Sequence, residues 1–473
     1  MSDAVQKKHY SGENVLPIIK AITPLRNQIF GQRKVIYDIA EKPVAMLVQA
    51  PAAFAHYLIT HLRHAPELSE VAREEALRRA GELFTESTLC GLTLAEYNTQ
   101  VSALTGLPQQ VIENASTKIA EATSQALAFA WLGISRGVSR ETDAEALSLG
   151  CAQSVRRGDV LAVVTPGNGT GVHALWPQAV ALGYRVVLRP SEREPLTAQR
   201  LVAAMVAAGL KQYVALLPCD HEVVDAMTES ADLSLLYGGD TTVTHFSFRN
   251  DVLVQGPGRS KIIIGADYRQ EDALQLVFES VVGLGGAACV CASSILVEGD
   301  AESFAQAFYH WCSWKLRDEI QRNIWLTRLS SQRFSWWRAQ SEKYAQFLIE
   351  EPQVFNAADN TYQVTPLVML APSMTDSLMQ LELPVPAVTF ASFNRSDDLN
   401  TLAPALVITV ASGDIQLIER IRKIPTVSNL YIGQIPTVWM HPQVPHDGYL
   451  AEFLMITRGH RVRAPDAIST GIT

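Results

Sequence analysis

From Asp159 onward the chain alternates short apolar runs with helical ones, and few folds accept that pattern. DVLAVVTPGN is a β-branched run ending in turn residues, GVHALWPQAVALGY reads as a helix, and RVVLRPS as a strand. PLTAQRLVAAMVAAGL follows as a helix opening on proline, a residue the first helical turn accommodates. YVALLPC, HEVVDAMTESA and LSLLYGGD continue as strand, helix and strand; a short polar helix and KIIIGAD (261–267) close the series. The alternation predicts a parallel, doubly wound α/β sheet. Such sheets bind ligands beyond the carboxyl ends of their strands. The strand-end sequences TPGN, RPSE and YGGD are therefore expected to be ligand-contacting loops.

This unit does not fill the chain. With 473 residues, two or three domains are expected. Residues 42–130 read as mostly helical, with charge and apolar residues at helical spacing in EVAREEALRRAGELF (70–84) and QVIENASTKIAEATSQALAFAWLGI (110–134). A second unit starts near 268. Its segment 301–345 carries Trp311, Trp314, Trp325, Trp336 and Trp337 among arginines. Amphipathic helices packed on a core are the plainer reading of that segment, and an acyl-chain pocket the sharper one. The tail from Tyr431 reads as turn-rich and then helical.

Charge and cysteine usage exclude several classes. The formal net charge of −9 offers no broad basic face, which argues against nucleic acid as a partner. The opening MSDAVQKKHYSGENVLP lacks the apolar region of a secretory signal. No apolar run approaches the ~20 residues of a membrane span. Cys90, Cys151, Cys219, Cys289, Cys291 and Cys312 are too few and scattered for a disulfide framework. A cytoplasmic protein with reduced thiols is expected.

Cys289 and Cys291 lie one residue apart in GGAACVCASS (285–294), ahead of the apolar run SILV. A metal would need three or four ligands, and no second Cys or His pair accompanies them, so no metal site is expected. GLGGAA (283–288) matches a dinucleotide fingerprint, but it follows a helical stretch and runs into a strand, the reverse of what that motif requires. A nucleophilic thiol remains, since small neighbours leave room for a carbonyl. An inert buried cysteine remains as well.

Six motifs in order bear on that choice: TPGN (165–168), RPSE with PLTA (189–198), YGGD (237–240), QGPGRSK (255–261), GGAACVCASSILV (285–297) and ELPVP (382–386). Together they resemble the successive motifs of the aldehyde dehydrogenase superfamily over roughly residues 130–460. The fold this implies is α/β: a Rossmann-type parallel-sheet cofactor domain, an α/β catalytic domain and a bridging β-hairpin. The expected boundaries are 1–255 for the cofactor domain, with a helical part at 1–130 and the hairpin near 133–158, then 256–430 for the catalytic domain. Residues 431–473 would form a C-terminal segment serving oligomerisation and the active site.

The resemblance makes Cys289 the catalytic thiol, because it stands eight residues before Val297 at the end of the following strand, a spacing Cys291 lacks. Asn168 would complete an oxyanion hole with the Cys289 N–H. Arg189 and Glu192 correspond to the lysine and glutamate at the adenosine ribose, and Glu382 to the glutamate at the nicotinamide ribose. Gly238 and Gly239 stand at the cofactor phosphates. Thr165, Pro166, Ser191, Gln255 and Gly256 complete the cofactor-side set. NADPH or NADH is implied: Glu192 favours NADH, whereas Arg189 and Arg193 could accept a 2′-phosphate, and NADPH is preferred.

The departures point to a branch. Gln255 replaces the glutamate that activates the hydrolytic water, and an amide cannot take a proton. Ala287 replaces a glutamine two before the cysteine. QGPGRS, the Ala-Cys before the strand and HDGYLAEFLMITR (446–458) resemble the acyl-CoA reductases typified by the bioluminescence fatty-acid reductase. The implied activity is NAD(P)H-dependent reduction of an acyl thioester, from acyl-CoA or an acyl-carrier protein, to an aldehyde in a homodimer or homotetramer. The alternatives are conventional aldehyde oxidation, with His173, His245 or His446 as base, and a catalytically silent scaffold.

Overall fold

The runs VLAVV, RVVLR and SKIII are buried on both faces, as strands covered by helices on either side must be. A computed structural model of the chain describes residues 16–25, 30–138, 144–441 and 443–462. A small sheet comes first: β1 (Ile18–Ile19), β2 (Arg33–Tyr37) and β3 (Pro43–Val48), with β3 in the centre. PVAMLV alternates half-buried and buried positions, which favours a strand over the helix read from 42; the helical stretch begins at Ala52.

Strand β4 (Cys151–Arg156) precedes a five-stranded parallel sheet of β5 (Val160–Val164), β6 (Arg185–Arg189), β7 (Val214–Leu216), β8 (Leu233–Tyr237) and β9 (Val252–Gln255). Its order is β7-β6-β5-β8-β9. The chain reverses its direction of travel between β5 and β8, and the crevice beyond such a switch point is where open parallel sheets bind ligands. Four residues, GPGR, lead from β9 into β10 (Ser260–Ile264). The second parallel sheet adds β11 (Ala292–Glu298) to β10. A short hairpin of β12 (Val354–Asn356) and β13 (Tyr362–Val364) follows. Then come β14 (Leu367–Leu370), β15 (Ala387–Phe393), β16 (Ala405–Ala411) and β17 (Val427–Ile432), and the sheet order is β14-β15-β11-β10-β16-β17.

The tail departs from the helix expected there. The helix is short, Leu450–Leu454, and gives way to β18 (Met455–His460), which pairs antiparallel with β4 from Arg156↔Met455 to Cys151↔His460. The strand within 133–158 thus takes its partner from the far end of the chain rather than from a local hairpin. Residues 139–143 of that expected hairpin lie outside the described residues. The tryptophan-rich segment forms helices Ala301–Lys315, Glu319–Trp325 and Ser331–Lys343. Trp325 packs edge-on against Phe278, while Trp337 is buried beside Phe334. Among the described residues no helix is long and apolar enough to cross a membrane.

Candidate active site

The residues that turn out of the first sheet meet the loop that enters β11. Cys289 sits in that loop, after helix Gln270–Val282 and a Gly-rich turn in which Leu284, Gly285 and Gly286 all adopt positive φ. The close approach of Gly286 to Pro386 leaves no room for a side chain, since a Cβ there would lie 2.4 Å from the proline ring. The backbone of Cys289 is pinned from β10: Ser260 Oγ donates to its carbonyl at 2.9 Å, and a Cβ on Gly258 would sit 1.9 Å from the same oxygen. Asn168 reaches over from the end of β5 and donates its amide to the Ala287 carbonyl at 3.0 Å. Asn168, 121 positions before Cys289, therefore touches the loop that carries it.

The two cysteines differ. Cys291 is buried, donates its thiol to the Gly283 carbonyl at 3.1 Å, and burial pushes its pKa to about 12. Cys289 keeps some exposed surface and has no sulfur hydrogen bond among the described residues. Its pKa is pushed far above the ordinary thiol value, first by desolvation and then by the charges of Asp447, Glu382 and Cys291. The resting sulfur is thus a neutral thiol, and anything that forms the thiolate must offset two nearby carboxylates.

Asp447 arrives from the C-terminal segment. Its carboxylate lies 3.0 Å from His446 Nε2, and its carbonyl accepts a long 3.5 Å contact from Gln255 Nε2. Asn429 anchors this turn by donating to the His446 carbonyl at 2.7 Å. The other histidines considered as bases are elsewhere engaged. His173 is buried, accepts from Trp176 Nε1 at 3.1 Å, and desolvation lowers its pKa to about 3; His245 is exposed beside Asp225. Glu382 accepts from the Arg259 backbone N–H at 2.6 Å, and burial raises its pKa. Arg259 in turn grips Asp240 with two contacts of 2.8 Å. Lys261, fully buried in β10, donates to the Arg259 carbonyl at 2.8 Å, and burial lowers its pKa to about 8.

At the far end, Glu192 is held by Lys34 and by Gln49 Nε2 at 2.8 Å, both from the small N-terminal part. Arg189 is buried, its Nε directed at the Cys219 carbonyl 3.3 Å away, and Arg193 donates to the Thr105 carbonyl at 3.0 Å. Both guanidiniums are bonded inward, and the cation beside Glu192 is Lys34. Ser191 Oγ accepts from the Arg193 N–H at 3.2 Å. Thr165 is tied to the Arg189 carbonyl through both its N–H and its hydroxyl, which keeps Pro166 and the rest of TPGN level with the end of β6. Gly238 lies under Thr242, Gly256 against Val243, and a Cβ on Gly239 would meet nothing within 4 Å. The chemistry of this set fits a dinucleotide: bare backbone at Gly239 would admit a phosphate, and the Glu192 and Glu382 carboxylates would accept from ribose hydroxyls.

Sequence reading missed Lys34, Gln49 and Tyr237. Tyr237 ends β8, opposite Gln255 in the β8–β9 register, and its hydroxyl is buried with no hydrogen-bond partner among the described residues. Only its place immediately before Gly238-Gly239 signalled it.

Two parallel sheets that close an amide donor, two carboxylates and an unbonded thiol around a switch-point crevice define a thiol-bearing α/β oxidoreductase. The chain belongs to the aldehyde dehydrogenase family, whose model matches residues 139–453. Members of that family use NAD or NADP. A malonate-semialdehyde dehydrogenase of Geobacillus kaustophilus is 29% identical over 157 residues, 31% of this chain and 32% of that protein. A Caenorhabditis elegans protein named as a probable acylating methylmalonate-semialdehyde/malonate-semialdehyde dehydrogenase is 28% identical over 155 residues, 31% of this chain and 30% of its own. The matches thus span about a third of these curated relatives. The aldehyde dehydrogenase of Sinorhizobium meliloti has the same fold, with a TM-score of 0.76, 16% identity and 95% coverage of both chains. The superfamily resemblance is met. The narrower likeness to the bioluminescence reductases is not the one these relatives carry, since they are named for semialdehyde dehydrogenation.

Proposed function

We propose that this chain oxidises an aldehyde through a covalent acyl group on Cys289 and passes that group to a thiol rather than to water. Cys289 gives up its thiol proton to solvent, and the thiolate adds to the aldehyde carbon. The oxyanion that forms is met by the free N–H of the Asn168 amide and by the Cys289 backbone N–H. Glu192, Gly239 and Glu382 would hold the dinucleotide, which when bound would supply an oxidised nicotinamide as hydride acceptor. What remains is a thioester between the acyl group and Cys289, with the loop held in place by Ser260 and Asn168.

The observation that carries this reading is Gln255. It stands where hydrolytic relatives have a carboxylate base, and its amide contacts the Asp447 carbonyl. Without a proton acceptor there, water is a poor nucleophile and an incoming thiol resolves the intermediate. The name of the acylating relative supports the same conclusion. Run in reverse, the same residues reduce an acyl thioester, from acyl-CoA or an acyl-carrier protein, to an aldehyde. Gln255 suits that direction equally.

In this reading residues 1–255 hold NAD or NADP, residues 256–430 carry the thiol, and residues 431–473 supply His446 and Asp447 and the strand β18. The β4–β18 ribbon is the element assigned to bridging subunits in a homodimer or homotetramer. Gln255→Glu is the test. With aldehyde, NAD or NADP and coenzyme A, the wild type should yield thioester, and the variant should divert product to the free acid, raising the acid-to-thioester ratio at least ~100-fold, the low end of a positioned base. Acid as the main product of the wild type would refute the reading.

A further inference from the structure

Resting on that reading, we propose that the Tyr237 hydroxyl is a catalytic hydrogen-bond donor to the sulfur of the incoming thiol, at the place where hydrolytic relatives keep their base. Three observations converge. Tyr237 and Gln255 are register partners at the ends of parallel strands β8 and β9, so their side chains leave the sheet on the same side. The Tyr237 oxygen is buried and unpartnered among the described residues, a state that proteins rarely leave unused. Finally, the phenol is close enough to Asp447 and Cys289 to feel their charges, and Cys289 also feels Asp447.

The chemistry supplies the need. Transfer begins with the thiol entering as its thiolate, its proton left in solvent. The thiolate sulfur forms a bond to the acyl carbon, the bond from that carbon to Cys289 breaks, and the electron pair returns to Cys289. Negative charge therefore starts on the incoming sulfur, passes to the carbonyl oxygen in the tetrahedral intermediate, and ends on the Cys289 sulfur. The surroundings oppose it: Asp447, paired with His446; Glu382, near Arg259 and Lys261; and Cys291 beside the loop. Burial first, and then the charges of Asp447 and Cys289, keep Tyr237 protonated and so a donor. On the oxyanion side Asn168 is already present. Tyr237 stands with Gln255 on the other, where the second nucleophile arrives.

The test separates the two half-reactions in Tyr237→Phe. The replacement removes no hydrogen bond of the fold, so the variant should melt at or above the wild-type temperature. Mixing with aldehyde and NAD or NADP alone should give a burst of reduced cofactor within threefold of the wild-type rate. Discharge of the acyl-enzyme by coenzyme A should slow roughly 10- to 100-fold, the loss expected for a hydrogen bond to a charged group. Trifluoroethanethiol, whose sulfur bears the charge more easily, should be slowed less than 2-mercaptoethanol. Equal discharge rates in variant and wild type, or burst and discharge falling together, would overturn the proposal while leaving thiol transfer standing. A wild-type acyl-enzyme that water discharges and thiols do not would overturn both.

Discussion

Asn168 uses one amide N–H on the Ala287 carbonyl and has a second to offer a substrate oxygen. Replacing it with alanine should lower kcat about 10²- to 10³-fold, the cost of one oxyanion donor, while iodoacetamide still alkylates Cys289 at the wild-type rate. A kcat within twofold of wild type would remove Asn168 from the chemistry. Residues of this kind were legible in the sequence because a strand end followed by turn residues marks them. Gln255 was legible as a departure from an expected carboxylate. The partners of Glu192 were not: Lys34 lies 158 positions away, and no local pattern ties the two. Arg189 and Arg193 could be read as charges near Glu192, but not as guanidiniums turned inward onto carbonyls, because sequence supplies charge without direction.

Elements place these side chains, and the most exacting junction is the step from β9 to β10. Gly258 passes so close to the Cys289 carbonyl that even a methyl group must push the loop aside. Gly258→Ala should cost about 1–3 kcal/mol of stability through overpacking. It should also lower kcat by more than tenfold, because the displaced carbonyl carries the nucleophile with it; a melting curve and a steady-state rate measure the two. Wild-type rates in that variant would show that the loop position is not critical. Strands β5 to β8, β10 and β11 are legible as apolar runs, whereas β14 to β17 were not read. Strands β3 and β9 escaped because PVAMLV adjoins a long helical stretch and VLVQ is only four residues long. Strand β18 escaped because MITRGH is polar and exposed, and its pairing with β4 is a contact across some 300 residues that no local pattern encodes.

At the scale of the whole molecule, the first sheet delivers its strand ends to the cysteine loop of the second, and the C-terminal segment covers the meeting point with His446 and Asp447. Alternation was enough to read the first α/β unit; the second followed only from the family resemblance, and KIIIGAD, expected to close the first sheet, forms β10 of the second. Sequence could not tell His173, His245 and His446 apart, since they look alike until the fold buries one, exposes another and pairs the third with Asp447. The account stands or falls on the fate of the acyl group. Intact-protein mass after mixing with aldehyde and NAD or NADP, without thiol, should show an acyl adduct that is absent from Cys289→Ala, persists in water and disappears when coenzyme A is added. An adduct that hydrolyses as fast without coenzyme A as with it, or one that still forms in Cys289→Ala, would contradict it.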